Sequence, residues 1–191
     1  MMNPELRECL SVWYGTPGRH YHTLAHVDEV LEHLERCRNL LGQWEEAYVA
    51  VLFHDAVYEV GRPDNERRSA LLARREAPRW FEVDLDRVAH LIELTASHGR
   101  QHEVNTDAAL FLDCDMAILG SSPDRYALYA DQIQAEWSPL ASPEDYAQGR
   151  AAFLEKVLDG RIFLSPFWHD RLDEDARRNL RWELSRYRDQ P

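Results

Sequence analysis

The sequence predicts an all-α fold, and three observations support this prediction. Apolar residues recur at intervals of three and four in several long segments, which is the spacing of an amphipathic helix. No segment alternates apolar and polar residues over the length of a strand. Glycine and proline occur singly, at places where helices would begin or end. We therefore expect a single domain over residues 1–191, built as a bundle of about seven to nine helices.

The first two predicted helices differ in how apolar they are. One covers residues 24–41, has a single apolar face and stops before Gly42. The other covers residues 44–58 and is apolar on nearly all sides, which is typical of a helix in the middle of a bundle. Because His54 and Asp55 lie in this second segment, the sequence predicts that both are buried.

Two further helices are bounded by capping and breaking residues. The third begins near Asp64 or Asn65, either of which can cap a helix, and it stops before Pro78. The fourth, in the segment DLDRVAHLIELTASHG, places His98 on its apolar face.

The C-terminal half predicts four more helices. The segment NTDAALFLDCDMAILG contains Asp115 and ends at Gly120. The Ser-Pro pairs in SSPDRY and SPEDY predict two helix N-termini, and Ser142 with Asp145 resembles a capping box. The last helix is expected from about residue 173 to 187.

Composition excludes several classes of protein. The chain has 22 Lys and Arg residues against 34 Asp and Glu residues, a net charge of −12, and the basic residues are scattered, which argues against a duplex nucleic-acid partner. We expect no membrane segment, because no apolar run approaches about 18 residues. Three cysteines without regular spacing and an N-terminus unlike a signal peptide predict a cytoplasmic location.

A group of polar residues falls on faces that the apolar pattern predicts to be buried: His26, His54, Asp55, His98 and Asp115. Each would cost several kcal/mol if it were buried without a partner. Imidazole nitrogens and carboxylate oxygens bind divalent transition metals, and facing helices of a bundle bring such ligands together. The alternative is a buried His–Asp hydrogen bond without a metal.

Five segments, YHTLAHV, LFHDAVYE, DNERRSA, TASH and FLDCDMAILG, occur in an order that resembles the HD-domain superfamily of metal-dependent phosphohydrolases. The resemblance is greatest to a bacterial branch of predicted members of this superfamily. It extends through YALYADQIQAEW, YAQGRAAFLEKVLDGRIF and EDARRNLRWEL, and so covers nearly the whole chain. The resemblance implies an HD-domain-like helical bundle.

The resemblance also implies a metal site formed by His26, His54, Asp55 and Asp115. The cofactor would be a divalent ion, with Mn, Co, Ni, Fe, Zn and Mg all compatible. A metal-bound hydroxide would attack the phosphate ester of a small molecule, with nucleotides among the candidate substrates. His98 is a candidate catalytic residue that would stabilise the phosphoryl oxygens, contact the substrate or bind a second metal.

The resemblance does not identify the residue that acts as general acid or base in this reaction. Several superfamily members have a glutamate three residues after the aspartate of the His-Asp pair, and this chain has Tyr58 there. Asp64 and Glu66 are the candidates to replace it, and capping or pairing with an arginine is the alternative for each. His22, one helical turn before His26, is a candidate substrate-binding residue, with a solvated or capping role as its alternative.

Two further expectations concern Asp113 and the class of protein. Asp113 lies two residues before Asp115, about 200° away around a helix, so we expect it at the surface or beside an arginine. The alternatives to a hydrolase are a non-catalytic sensor domain that binds a nucleotide or metal, and an HD-fold di-iron oxygenase.

Overall fold

The computed structural model describes residues 2–97 and 104–188 of the chain. Within these two ranges the chain forms nine α-helices and no β-strand, which confirms the all-α prediction. The helices are α1 (Pro4–Tyr14), α2 (Leu24–Arg36), α3 (Trp44–Phe53), α4 (Asn65–Glu76), α5 (Leu85–Leu94), α6 (Thr106–Met116), α7 (Pro123–Trp137), α8 (Pro143–Asp159) and α9 (Pro166–Arg188). Short 3-10 turns occur at Arg38–Leu40, Ala77–Arg79, Thr95–Ser97 and Ala117–Gly120.

The distribution of apolar residues explains where the helices lie in the bundle. In α3 the side chains of residues 49–53 are all buried, and in α6 those of residues 108–114 are all buried. α2 instead buries a single stripe that includes Val27, Val30 and Leu34. Helices that are apolar all round therefore lie inside, and helices with one apolar face cover them.

All nine helices contribute side chains to one continuous set of buried apolar residues. Large aromatic side chains from both halves of the sequence, including Tyr14, Phe53, Phe111, Tyr126 and Trp168, are almost completely buried there. None of the helices in the described ranges combines the length and the apolar composition that crossing a bilayer requires.

The Ser-Pro pairs mark helix N-termini as predicted. α7 begins at Pro123 after Ser122, and α8 begins at Pro143 after Ser142. The Ser142 hydroxyl accepts a hydrogen bond from the backbone N–H of Asp145 and donates one to its carboxylate, at 3.1 and 2.8 Å. The expected pairing of these two residues is therefore confirmed.

The helix predicted for residues 44–58 ends earlier than the sequence suggested. Phe53 is the last helical residue, and His54 and Asp55 lie in the turn that follows. Carbonyl groups in the last turn of α3 bind side chains: the Tyr14 hydroxyl donates to the carbonyl of Leu52, and His54 Nδ1 donates to that of Val51. These contacts satisfy helix-end carbonyls without a further turn of helix. α2 likewise stops at Arg36, before residue 41.

Asp113 explains why α9 begins seven residues before the predicted start. Its carboxylate accepts hydrogen bonds from the backbone N–H groups of Leu164 and Ser165, at 2.6 and 2.7 Å. The hydroxyl of Ser165 in turn accepts from the N–H of Trp168. The expectation of a surface position was therefore wrong, since Asp113 is 1% exposed and holds the N-terminus of α9.

Gly120 has a role beyond ending the segment that follows α6. A Cβ atom at this position would lie 2.7 Å from Cβ of Leu172 and 3.0 Å from its carbonyl oxygen. α9 therefore passes so close to this turn that a larger residue would displace it.

Candidate metal centre

Four side chains from three parts of the fold lie close together. His26 comes from the first turn of α2, His54 and Asp55 come from the turn after α3, and Asp115 comes from the last turn of α6. The structure thus brings together all four side chains that the resemblance implies as metal ligands. We refer to these four residues as the His–Asp cluster.

Three members of the His–Asp cluster, His26, His54 and Asp115, have donor atoms within 4.8 Å of one another and could hold a metal ion. His26 Nε2 lies 3.0 Å from His54 Nε2 and 3.1 Å from Asp115 Oδ1. His54 Nε2 lies 3.1 Å from Asp55 Oδ2 and 3.4 Å from Asp115 Oδ1, and His26 Nε2 lies 3.6 Å from Asp55 Oδ2. Ligand atoms bound about 2.1 Å from one ion are about 3.0–3.4 Å apart. The spacing of the His26, His54 and Asp115 donor atoms therefore fits a transition metal, and Asp55 Oδ2 lies beside both imidazoles.

The hydrogen bonds of the two imidazoles point the same nitrogen into the cluster. His54 Nδ1 donates to the carbonyl of Val51 at 2.9 Å, so the neutral ring has its lone pair on Nε2. Nδ1 of His26 is buried without a hydrogen-bond partner, so the polar contacts of this ring are on the Nε2 side. Both histidines are thus oriented as Nε2 ligands.

The charges of the cluster favour a cation. With both carboxylates ionised and both imidazoles neutral, as metal ligands must be, this largely buried site has a net charge of −2, and a proton on His54 or a bound cation reduces it. Burial lowers the pKa of His54, but Asp55 and Asp115 outweigh burial and raise that pKa well above 6.5. Burial raises the pKa of the Asp55 carboxyl, yet His54 holds it below its usual range. The C-terminal end of α3 adds to this preference for positive charge.

A cavity of about 200 Å³ gives a small ligand access to the His–Asp cluster. We call it the cluster cavity. Its walls include residues from seven parts of the fold, namely Tyr21, His22, His26, Asp55, Tyr58, Glu66, Thr95, Asp115, Met116, Ile118, Leu119, Tyr129 and Phe153. The side chains of Asp55 and Asp115 retain 16% and 15% exposure, so the carboxylates face this opening.

His22 lies in the wall of the cluster cavity, and Glu136 from α7 fixes its orientation. Glu136 Oε2 accepts a hydrogen bond from His22 Nδ1 at 2.6 Å, which leaves Nε2 for a ligand. The ring of Tyr58 stacks on the imidazole with centroids 4.0 Å apart. Burial lowers the pKa of His22, but the hydrogen bond to Glu136 raises it overall.

Glu136 is itself held as a carboxylate. It is 2% exposed, and its Oε1 accepts hydrogen bonds from the backbone N–H groups of His20, Tyr21 and His22, at 2.8, 2.8 and 3.0 Å. Burial raises its pKa, but His22 and these N–H groups lower the pKa to about 2. Glu136 therefore fixes the loop before α2 as well as the His22 ring.

Glu136 is a site residue that the sequence-based prediction missed, although the sequence contains a signal for it. Tyr129, Ile133 and Glu136 follow one another at helical spacing, and all three are buried on one face of α7. A glutamate on an otherwise apolar stripe needs a partner, and in this fold the partner comes from the far N-terminal part of the chain.

Arg19 ties the loop before α2 to the turn that holds His54 and Asp55. Its guanidinium donates hydrogen bonds to the carbonyl groups of His22, Asp55 and Ala56, at 2.9, 2.7 and 3.1 Å. Burial lowers the pKa of this guanidinium. Its role is to connect backbone segments, and this role fixes the two loops relative to each other.

The two carboxylates proposed as acid or base lie in different places. Glu66, in the first turn of α4, lines the cluster cavity. Asp64 does not line it, and its carboxylate pairs at the surface with Arg62 at 2.9 Å. Of the two candidates, only Glu66 therefore lies in the cavity wall. Asp64 occupies the N-cap position of α4 without a side-chain capping bond. His98 lies outside the described residues.

Comparisons with protein-family models, with curated proteins and with solved structures found no significant match to the chain.

Proposed function

We propose that this chain is a metal-dependent phosphohydrolase that cleaves a phosphate ester of a small molecule. The observation behind this proposal is the position of the His–Asp cluster beneath an open cavity, with donor atoms of His26, His54 and Asp115 spaced for one ion. The order of sequence segments that resembles the HD-domain superfamily adds independent support. The ligand set is two imidazoles and two carboxylates, and such a set leaves positions for water and substrate.

A divalent ion held by His26, His54, Asp55 and Asp115 would lower the pKa of a bound water and polarise a phosphoryl oxygen. The chain would supply binding, orientation and proton transfer around this ion. The small cluster cavity limits the reacting part of the substrate to a group about the size of a phosphate.

His22 would bind the phosphate. The Nδ1–H of His22 donates a hydrogen bond to Glu136. When His22 is protonated, its Nε2–H is therefore directed toward a ligand in the cluster cavity. A charge-assisted hydrogen bond to a phosphoryl oxygen would stabilise the charge that develops there during the reaction.

Glu66 would accept or donate the proton that the reaction moves. It is a carboxylate in the cavity wall that none of our assigned metal contacts involves. Glu66→Gln should keep the bound metal and lower kcat by about a hundredfold or more. Asp64→Asn, two residues earlier in the chain, is the matched control and should leave kcat unchanged. Equal rates for the two variants would remove Glu66 from this role.

Elemental analysis followed by a phosphatase assay tests the whole proposal. Protein purified without a polyhistidine tag should contain a near-stoichiometric transition metal, and His54→Ala should lose it. His169→Ala is the matched control, since that histidine has a side chain 46% exposed and pairs with Asp173 on α9. Phosphate release should then depend on added Mn, Co, Ni or Mg.

Two results would contradict the proposal. Metal that His54→Ala retains would place the metal site elsewhere. Metal bound at the His–Asp cluster without phosphate release from any ester would favour a sensor domain or a di-iron oxygenase instead.

A further inference from the structure

A second cavity, of about 410 Å³, adjoins the cluster cavity. The two cavities share four wall residues: His22, Tyr58, Tyr129 and Phe153. We call this second space the aromatic cavity. It lies between α7 and α8, and its volume is in the range of small-molecule sites. A ligand bound at the His–Asp cluster could therefore extend into it.

The walls of the aromatic cavity are formed largely by rings. In addition to the three shared aromatic residues, Trp137 and Tyr146 contribute side chains. Gly149 contributes no side chain, and a Cβ atom there would meet no other atom within 4 Å. Aromatic walls around an open space favour a planar aromatic ligand, because rings pack edge to face or offset on one another.

Arg150 supports two of these rings and is itself neutralised. Its Nε and Nη2 donate to the carboxylate of Glu183 at 2.8 and 3.1 Å. Its guanidinium carbon lies 5.0 Å from the ring centroid of Phe153 and 5.4 Å from that of Tyr129. Because Arg150 contacts Glu183 and the two rings, its charge is already neutralised. The cavity is therefore better suited to an uncharged group than to a second phosphate.

The other two ionisable residues of the wall, Asp145 and His22, also have hydrogen-bond partners within the protein. The carboxylate of Asp145 accepts a hydrogen bond from the hydroxyl of Ser142 at 2.8 Å, and His22 is bound to Glu136. The polar and apolar parts of a ligand would thus be separated, with charge at the His–Asp cluster and rings at the opposite end.

We infer that the aromatic cavity binds a planar aromatic group attached to a phosphate monoester, while the phosphate lies at the His–Asp cluster. This inference rests on the proposed function and adds the class of substrate to it. Phe153 and Trp137 would then determine specificity by contact with the aromatic group.

Equilibrium binding tests the inference without turnover. Benzylphosphonate and cyclohexylmethylphosphonate have the same charge and similar size, and only the first has a planar ring. Titration calorimetry with protein purified without chelator should show that benzylphosphonate binds about three- to tenfold more tightly. Phe153→Leu keeps the apolar bulk but removes the ring, and it should reduce this ratio about threefold.

Trp182→Leu is the matched control. Phe153 is 41% exposed and Trp182 is 44% exposed, so either substitution should leave the fold intact, and Trp182 lines neither of the two cavities. The binding ratio should be the same as in the wild type. Equal affinities for the two phosphonates, or a ratio that Phe153→Leu leaves unchanged, would overturn the inference.

Turnover of the matching esters separates failure of this inference from failure of the proposed function. Benzyl phosphate and cyclohexylmethyl phosphate have leaving alcohols of similar acidity, so a difference in kcat/KM reports binding of the organic group. Hydrolysis of both esters at the same rate would overturn the aromatic site and keep the phosphohydrolase. A binding preference that depends on Phe153, without hydrolysis of either ester, would keep the site and overturn the phosphohydrolase.

Discussion

Two of the buried groups of charged residues in this molecule have their charges balanced differently. In the C-terminal half, the carboxylate of Glu183 is 0% exposed and accepts hydrogen bonds from Arg150, from the hydroxyl of Tyr126 at 2.5 Å and from that of Tyr187 at 3.2 Å. One guanidinium balances one carboxylate, and the two hydroxyls complete the carboxylate's contacts. This group, which we call the Glu183 cluster, is neutral without any ligand.

The His–Asp cluster has no such balance. Its two carboxylates contact two imidazoles that present Nε2, and a proton or a cation is needed to reduce the charge. Buried charged groups therefore have two different roles in this fold. A group that the chain neutralises by itself holds helices together, whereas a group that the chain leaves negative is a place for an ion.

The largest effect on stability should come from breaking the balanced group. Arg150→Met leaves Glu183 buried without its counter-charge, and the free energy of unfolding should fall by about 3–5 kcal/mol in urea denaturation. Arg186→Met removes a surface pair with Asp131 and should cost less than about 1 kcal/mol. Similar losses for both variants would mean that the Glu183 cluster contributes no more than a surface pair.

At the His–Asp cluster, removal of a bound metal should lower the free energy of unfolding. A metal present at a hundred times its dissociation constant stabilises the folded state by about 2.7 kcal/mol, and a chelator should remove this contribution from the wild type. His54→Ala should unfold at the same urea concentration with and without chelator. A wild type that is indifferent to chelator would show that no ion stabilises the cluster.

A smaller effect on the free energy of unfolding should appear at low pH, where Glu136 becomes protonated. Its pKa in the fold is about 2, below the ordinary value of 4.5, so the folded state binds fewer protons than the unfolded state in this interval. Its contribution is therefore complete above pH 4.5 and is lost as the pH falls toward 2, and we expect on the order of 1 kcal/mol. Between pH 5 and 3, the wild type should lose more stability than Glu136→Gln. Parallel losses in urea denaturation at the two pH values would exclude this role.

The smallest effect is expected at Asp64, whose ion pair is at the surface. The side chains of Asp64 and Arg62 are 44% and 46% exposed, so water and salt screen their attraction. Asp64→Asn should change the free energy of unfolding by less than about 0.5 kcal/mol. A loss of several kcal/mol would indicate that this carboxylate has a partner other than Arg62.

The fold was predicted well where local sequence decides it. Helix starts at Asn65, Pro123 and Pro143 agree with the structure because the residues that mark a helix start are next to it in the sequence. The predicted end of α3 was wrong, and one of the two contacts at its actual end, from the hydroxyl of Tyr14 to the carbonyl of Leu52, spans 38 residues and leaves no local pattern. The start of α9 was missed although the Ser-Pro pair before it has the same form as the two pairs that predicted α7 and α8.

The candidate site was predicted in part. The sequence and its resemblance named His26, His54, Asp55 and Asp115, and the structure places all four together. Glu136 was not named: its place on an apolar stripe indicates burial, but its contact with His22 spans 114 residues, and no local pattern reveals that partner. Asp64 and Glu66 were both named as candidates for the acid or base, and only the fold shows that Glu66 lines the cluster cavity and Asp64 does not.

The sequence by itself determined the helical class, most helix starts and the residue types available for a metal site. These properties follow from interactions within a few residues, and a periodic pattern records them directly. The tertiary structure decided which buried charges are neutralised and which are left to face one another, because that outcome depends on how distant helices pack. For the same reason, only the fold could place an aromatic cavity beside the His–Asp cluster.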